Sequence, residues 1–301
     1  MVFRSSFYLA EQCAYLGEDE VQSNPVKYFT FSIIKPQVDV PSSDRVNEDQ
    51  FHGVCKVTVA AGQLTGQGSG FLFKFQSDEH REIFGLLTCY HVIHFDRQQA
   101  IPVPAQVTLE FQSRAQAQAS SLVRRTLAQA QNPNAQPILS PEHDIYFLEL
   151  SAQFRQDIAT SGIPVYESMD PVFDRQVWIA QFPGGTQRHV ANAIFDASLN
   201  PTGGVFPHRV STRPGGSGSP LLQQVQQGNN LRAIGMHHGG YGNIPMHGPL
   251  NYATSIVTIK DILNHRILHG TDPPLPAHAA SAAIESTMGT TIAYSSIRII
   301  R

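Results

Sequence analysis

Short runs in which apolar residues recur at strand spacing dominate the chain, and Gly, Pro, Asn or Ser breaks them every few residues. GVCKVTV (53–59), GFLFKF (70–75), FGLLTCYHV (84–92), AQVTLEF (105–111) and DIYFLEL (144–150) form one series. PVYES (164–168), QVWIAQF (176–182), HVANAIF (189–195), HRVST (208–212), SPLLQQV (219–225), LRAIGMHH (231–238) and NYATSIV (251–257) form a second, and KYFTFSII (27–34) precedes both. So many short strands with so little helical period predict an all-β protein, a sandwich or a pair of barrels. Two β-barrels would each close their own sheet edges and leave a cleft between them.

TSGIP (160–164) reads as the connector. It divides the chain into an N-terminal extension (1–50), a first β unit (51–160), a second β unit with a C-terminal helix (161–269) and a tail (270–301). SSDRVNEDQ (42–50) reads as a linker, and the Ala- and Gln-rich stretch 113–137 as a surface insertion in the first unit. IVTIKDILNHRILH (256–269) carries apolar residues at helical spacing and predicts the helix.

Composition narrows the function. With 21 Lys+Arg against 24 Asp+Glu and a net charge of −3, the chain has no basic footprint for nucleic acid. At 41% hydrophobic residues it is too apolar for a disordered chain. No stretch approaches 18 uninterrupted apolar residues, so no membrane span is expected. Cys13, Cys55 and Cys89 are too few and scattered for a disulfide framework and fit a reducing compartment. The first twenty residues lack the apolar core of a secretory signal, so an intracellular location is expected. His91 and His94 are three apart and His237 and His238 adjacent, but no cysteine or carboxylate spacing completes a metal set; neither metal nor cofactor is expected.

Three segments carry candidate chemistry: LLTCYHVIH with His91, EHDIYFLEL with Asp144, and RPGGSGSPLL with Ser217. A serine hydroxyl is a weak nucleophile unless a base takes its proton as it attacks. Histidine, with a reference pKa of about 6.5, suits that task near neutral pH. A carboxylate on the far ring nitrogen fixes the tautomer and stabilises the imidazolium. Glycines let the backbone around Gly215, Gly216 and Ser217 turn N–H groups toward a developing oxyanion, with Gly215 and Ser217 as the donors. Asp157, Asp170 and Asp174 lack the apolar strand that follows Asp144, and Ser219, before Pro220, reads as structural.

In this order the segments resemble the chymotrypsin-like (trypsin-like) serine peptidases, whose chain order is His, Asp, Ser. GQGSGFLF (66–73) resembles the family's glycine-rich strand before the histidine. TCYHVI resembles its Thr-x-x-His-Val segment, DIYFLEL its Asp-led strand, and GGSGSPLL its nucleophile turn. AIGMHHGG (233–240) resembles the strand beside the substrate backbone. The resemblance, over residues 51–268, implies two six-stranded antiparallel Greek-key β-barrels with the active site between them. It implies a serine endopeptidase acting on a protein or peptide substrate, with Ser217 as nucleophile, His91 as base and Asp144 orienting His91. A barrel pair retained as a binding module, a pseudoprotease, is the alternative. The disulfide beside the histidine and the Asp before the nucleophile in secreted zymogens are both missing, which places the chain nearer glutamyl endopeptidases, HtrA-type and intracellular trypsin-like peptidases.

The resemblance also implies a specificity pocket built from Ser211, Thr212 and Arg213 on one side and His237 and Gly239 on the other. Ser211 stands where trypsin-type enzymes carry Asp, so basic side chains are not expected before the cut. Thr212 and His237 match residues by which glutamyl endopeptidases hold a carboxylate, and Arg213 adds to that reading if it turns inward. An apolar pocket bordered by His237 is the other reading.

Overall fold

The computed structural model describes residues 46–61, 64–94, 106–112, 122–185, 187–196, 204–225, 230–244, 248–270 and 297–298. The predicted run 27–34 and most of the tail lie outside them.

The first sheet joins β1 (Val54–Ala61), β2 (Leu64–Gln76), β3 (Glu82–Cys89), β4 (Val107–Gln112), β5 (Leu122–Thr126), β6 (Ile138–Ser140) and β7 (Ile145–Glu149). Their order is β5-β4-β1-β2-β3-β7-β6, every pair antiparallel, and a two-residue strand β14 (Ile297–Arg298) adds to β2. The second sheet has the order β10-β13-β12-β11-β8-β9, also antiparallel. Its strands are β8 (Gln176–Gln181), β9 (His189–Ile194), β10 (Val205–His208), β11 (Pro220–Gln224), β12 (Leu231–Ile244) and β13 (Gly248–Ser255). Two antiparallel β units followed by one helix are the chymotrypsin-like double-barrel plan that the sequence implies; the second sheet has the six strands expected and the first has seven on its main path.

Alternation along the second sheet explains how the halves adhere. Val177 and Ile179 of β8, Leu221 of β11 and Ile234 of β12 face a cluster with Phe195, Phe206, Val210 and Ala253. Their neighbours Trp178, Ala180, Leu222, Ala233 and Met236 point the other way and join the core of the first sheet. A strand turns successive side chains to opposite faces, so one β8 serves both cores. Each fully buried large apolar side chain contributes about 1.5–3 kcal/mol to this arrangement.

Several local expectations give way to tertiary structure. PVYES forms no strand: Tyr166 lies in parallel register beside Phe73 of the first sheet and Ser168 beside Ala233 of the second, so the segment stitches the sheets together. HRVST is strand only at His208, because β10 lies earlier. The insertion read over 113–137 is strand and helix over Leu122–Ala130: β5 pairs with β4, and a single helical turn packs Leu127 and Ala130 into the core. Residues 46–50 are docked rather than linking, since Asn47 caps a 3-10 turn over Glu48–Phe51 and Tyr166 donates to Gln50 O at 2.7 Å.

 The turn α1b is Leu127–Ala130, held by a reciprocal cap between Thr126 and Gln129; it follows a first helical turn, α1 (Tyr90–Ile93). A helix the alternation did not predict, α2 (Ala152–Thr160), begins at the Ser151 cap and buries Phe154 and Ile158.

The predicted C-terminal helix is present as α3 (Ile256–His269), capped by Ser255 and closed by Gly270 in the left-handed region. Ile256, Ile259, Ile262 and Leu263 are buried along one face, and Asn264 donates to Asp78 in the β2–β3 turn at 3.0 Å. The helix thus leaves the second sheet and ties back to the first. Among the described residues no helix is long and apolar enough to cross a membrane.

Candidate active site

β3 ends at Cys89, and the chain turns at once into α1, which carries His91. Asp144 immediately precedes β7, the neighbour of β3, so sheet pairing of Cys89 with Ile145 brings the two segments together. The Tyr90 amide donates to Asp144 O at 3.1 Å and the His91 amide to Asp144 Oδ1 at 2.9 Å. His91 Nδ1 lies 2.7 Å from Asp144 Oδ2. Asp144 adopts φ 56°, a left-handed conformation that Asp and Asn accept more readily than most side chains.

Asp144 is 2% exposed. Burial acts to raise its pKa, but the positive charge and hydrogen bonds of His91, with a smaller contribution from His238, hold it below the ordinary carboxylate value. Behind it, burial pushes the Cys89 thiol well up, and the Asp144 charge adds to that. Cys89 Sγ lies 3.4 Å from His237 O, and its burial and raised pKa keep it a neutral thiol. Ligand atoms of Cys89, His91 and Asp144 all fall within 4.8 Å of one another, a closeness the His91–Asp144 pair itself produces.

Ser217 arrives from the second sheet, in the turn before β11. First-sheet residues fix that turn: Ser69 N–H donates to Ser217 O at 2.9 Å, and Ser69 Oγ donates to Gly215 O at 2.8 Å. Thr88 Oγ1 in turn donates to Ser69 O at 2.7 Å. Gly218, at φ 85°, could carry no side chain, because a Cβ would collide with Ser69 O and Thr88 Oγ1. Gly215 sits at φ 97°, against Phe182 O. Gly216 N–H donates to Arg213 O at 2.9 Å, closing a turn inside the protein. Gly216, the middle residue of the segment Gly215–Ser217 that the sequence nominates for the oxyanion, thus spends its N–H inside the turn, as expected of a residue that is not one of the two donors. Ser219 Oγ is buried without a hydrogen-bond partner, so no base stands beside it.

The nominated pocket residues divide. Thr212 is buried, Ser211 and Gly239 are half-buried, and Arg213 is exposed rather than turned inward. Gln181 clamps this strip, donating to Ser211 O and accepting from Arg213 N–H, both at 3.0 Å. His237 is 3% exposed; its Nδ1 lies 3.2 Å from both Tyr252 O and His208 Nε2. Burial lowers the pKa of His237 to about 3, and the neighbouring His238 charge adds to the shift. His208 is lowered as well, first by burial and then by His237 and His238.

Ser69, Thr88, Gln181 and His208 escaped the sequence reading as site residues. Ser69 and Thr88 stood inside quoted motifs, but their partners are 146 and 19 residues away, and only the folded chain supplies them.

Comparison with known proteins is consistent with this geometry. No curated protein is similar enough to count as a match. Among solved structures, Deg5 aligns with a TM-score of 0.50 at 14% identity, covering 77% of this chain and 99% of its own, which shows a shared fold. A serine endoprotease from Yersinia pestis aligns at 15% identity and TM-score 0.47, covering 77% of this chain and 69% of its own. A scabies mite inactivated protease paralogue aligns at 17% identity and TM-score 0.47, covering 71% of this chain and 95% of its own. Residues 68–235 match the profile of the trypsin-like peptidase domain, a span that takes in His91, Asp144 and Ser217. That span is more than half of the chain, and the chain belongs to the trypsin-like peptidase family of serine endopeptidases.

Proposed function

We propose that the chain cleaves peptide bonds through an acyl-enzyme on Ser217. The observation that carries this reading is the His91–Asp144 pair, 2.7 Å apart, at the end of β3, whose Thr88 bonds the same Ser69 that holds the Ser217 turn. Ser217 Oγ attacks the carbonyl carbon while its proton passes to His91. Asp144 holds the ring in the tautomer that can accept that proton and stabilises the imidazolium. The Gly215 and Ser217 N–H groups receive the oxyanion; loss of one such donor typically costs about 3–4 kcal/mol of barrier. The C–N bond then breaks as His91 returns the proton to the leaving amine, and water repeats the sequence on the ester.

For the side chain before the cut, the acidic reading gains support from the His237 environment. Tyr252 O is an acceptor and stabilises a proton on Nδ1, so an incoming carboxylate can draw a second proton onto the ring and accept from it. Buried Thr212 adds a hydroxyl donor from the opposite segment. The exposed Arg213 is left out of this pocket.

A fluorophosphonate probe tests the nucleophile. Labelling of the wild type that disappears in Ser217→Ala supports the acyl-enzyme route; a wild type that never labels favours the pseudoprotease. A peptide library varied at the residue before the cut tests the pocket. Cleavage after Phe or Leu that His237→Ala leaves unchanged would sink the acidic reading and spare the nucleophile.

A further inference from the structure

β2 reaches past its neighbour. On one edge it pairs with β1 from Leu64 to Phe71, whereas on the other β3 engages it only from Gly70 onward. The edge on the β3 side between Leu64 and Ser69 is thus left for another strand, and β14 takes it, with Ile297 opposite Gly66 and Arg298 opposite Thr65.

This edge adjoins the nucleophile turn. Ser69 N–H donates to Ser217 O, and a Cβ at Gly68 would lie 3.2 Å from the same oxygen. At about 3.3 Å per residue, Gly66 stands only about 10 Å along the strand from Ser69. An open strand edge is a template for any extended chain, and main-chain hydrogen bonds supply the affinity. β14 pairs antiparallel to β2, so its N-terminal end is directed toward the Ser217 turn and its C-terminal end away from it. A substrate whose residues after the cut lead away from Ser217 along this edge has the same polarity.

We propose that the C-terminal segment around Ile297–Arg298 is a built-in competitor for this edge, which receives the leaving-group side of the substrate. The inference rests on Ser217 as the nucleophile. Because the segment belongs to the same chain, its binding is intramolecular, and even a seat of millimolar affinity is substantially filled. The edge is main-chain and sequence-tolerant, so the competition acts on substrates that extend past the cut and spares those that do not.

The full-length chain carrying both Ile297→Pro and Arg298→Pro tests this, since proline donates no ladder hydrogen bond. Amide exchange at Thr65, whose N–H faces this edge as that of Ser69 does, is expected to accelerate, while Gly66, whose N–H faces β1, serves as the control. KM for an internally quenched peptide with four residues after the cut is expected to fall about tenfold with kcat unchanged, the worth of one to two backbone hydrogen bonds. KM for a p-nitroanilide, which has no residues after the cut, stays the same. A synthetic peptide of residues 290–301 restores the higher KM as a competitive inhibitor. Unchanged exchange at Thr65, or an unchanged KM for the extended peptide, overturns the proposal. Inhibition of the unmodified chain that grows with protein concentration does so too, by placing the contact between copies. Binding of the fluorescein-labelled 290–301 peptide in a Ser217→Ala background keeps the two readings apart. Tighter binding to the double-proline chain upholds the seat even if no turnover is found, and equal binding to both chains rejects it.

Discussion

Two histidines flank the Ser217 turn, each against a buried partner, and the partners differ. His91 faces a carboxylate, with Nδ1 2.7 Å from Asp144; His237 faces another imidazole, with Nδ1 3.2 Å from His208 Nε2. Asp144 is buried, and against that burial the charge of His91 holds its pKa below the ordinary carboxylate value, so it presents a negative charge to that ring. Beside His208, a proton has only the Tyr252 carbonyl to offset burial, and the pKa of His237 falls to about 3. His237 is buried beside a neutral partner, so its ring stays neutral until a charged ligand arrives.

The strongest way to break this contrast is to neutralise the carboxylate. Asp144→Asn keeps a side chain suited to φ 56° and is expected to fold while losing about 10⁴-fold in kcat/KM. Combining Ser217→Ala with His91→Ala should cost little more than the worse single change, because the three residues act as a unit. Steady-state kinetics with multiplicative losses would contradict that unit.

The second pair is probed next. His237→Ala is expected to lower kcat/KM for cleavage after glutamate by about 10- to 150-fold, the worth of one hydrogen bond to a charged group. Cleavage after apolar residues should change little. Parallel loss on both substrate types would point to a collapsed pocket instead.

A pH titration of stability sharpens the comparison. The folded-state pKa of His237 lies at about 3, below the ordinary 6.5, and that of His208 is lowered too. The unfolded chain therefore binds more protons in that window, and stability falls as pH drops from about 6.5 toward 3. Asp144, depressed below its ordinary value, adds stability that is present above the unfolded carboxylate pKa and is lost as pH falls through its folded value. His208→Phe should flatten the loss between pH 6.5 and 4, read as the midpoint of denaturant unfolding. A slope identical to wild type would mean that the imidazole pair does not govern it.

The smallest effect concerns the thiols. Cys55 and Cys89 are free and buried, and burial pushes both pKa values up. Dithiothreitol should leave the melting temperature unchanged, and a thiol reagent should modify these two only as fast as the protein unfolds. Rapid modification of the folded chain at Cys89 would show that the space behind Asp144 is open.

Local chemistry made much of this protein legible. A histidine after an apolar strand, an aspartate before one and glycines around a serine are each set by neighbours in the chain. The α3 helix was equally plain, because its 3.6-residue spacing and its Ser255 and Gly270 ends lie in one continuous stretch. Tertiary structure decided the rest. Leu122–Thr126 became a strand because β4 offered an edge to pair with, and PVYES crossed between sheets instead of joining one. Gly216 N–H closed a turn onto Arg213, and Ser69, Gln181 and His208 gained roles through partners 29 to 146 residues away. Sequence patterns report the periodicity of a face and the residue types a turn tolerates. They do not report which distant group a buried polar atom will meet, and in a desolvated site that meeting sets charge, tautomer and access.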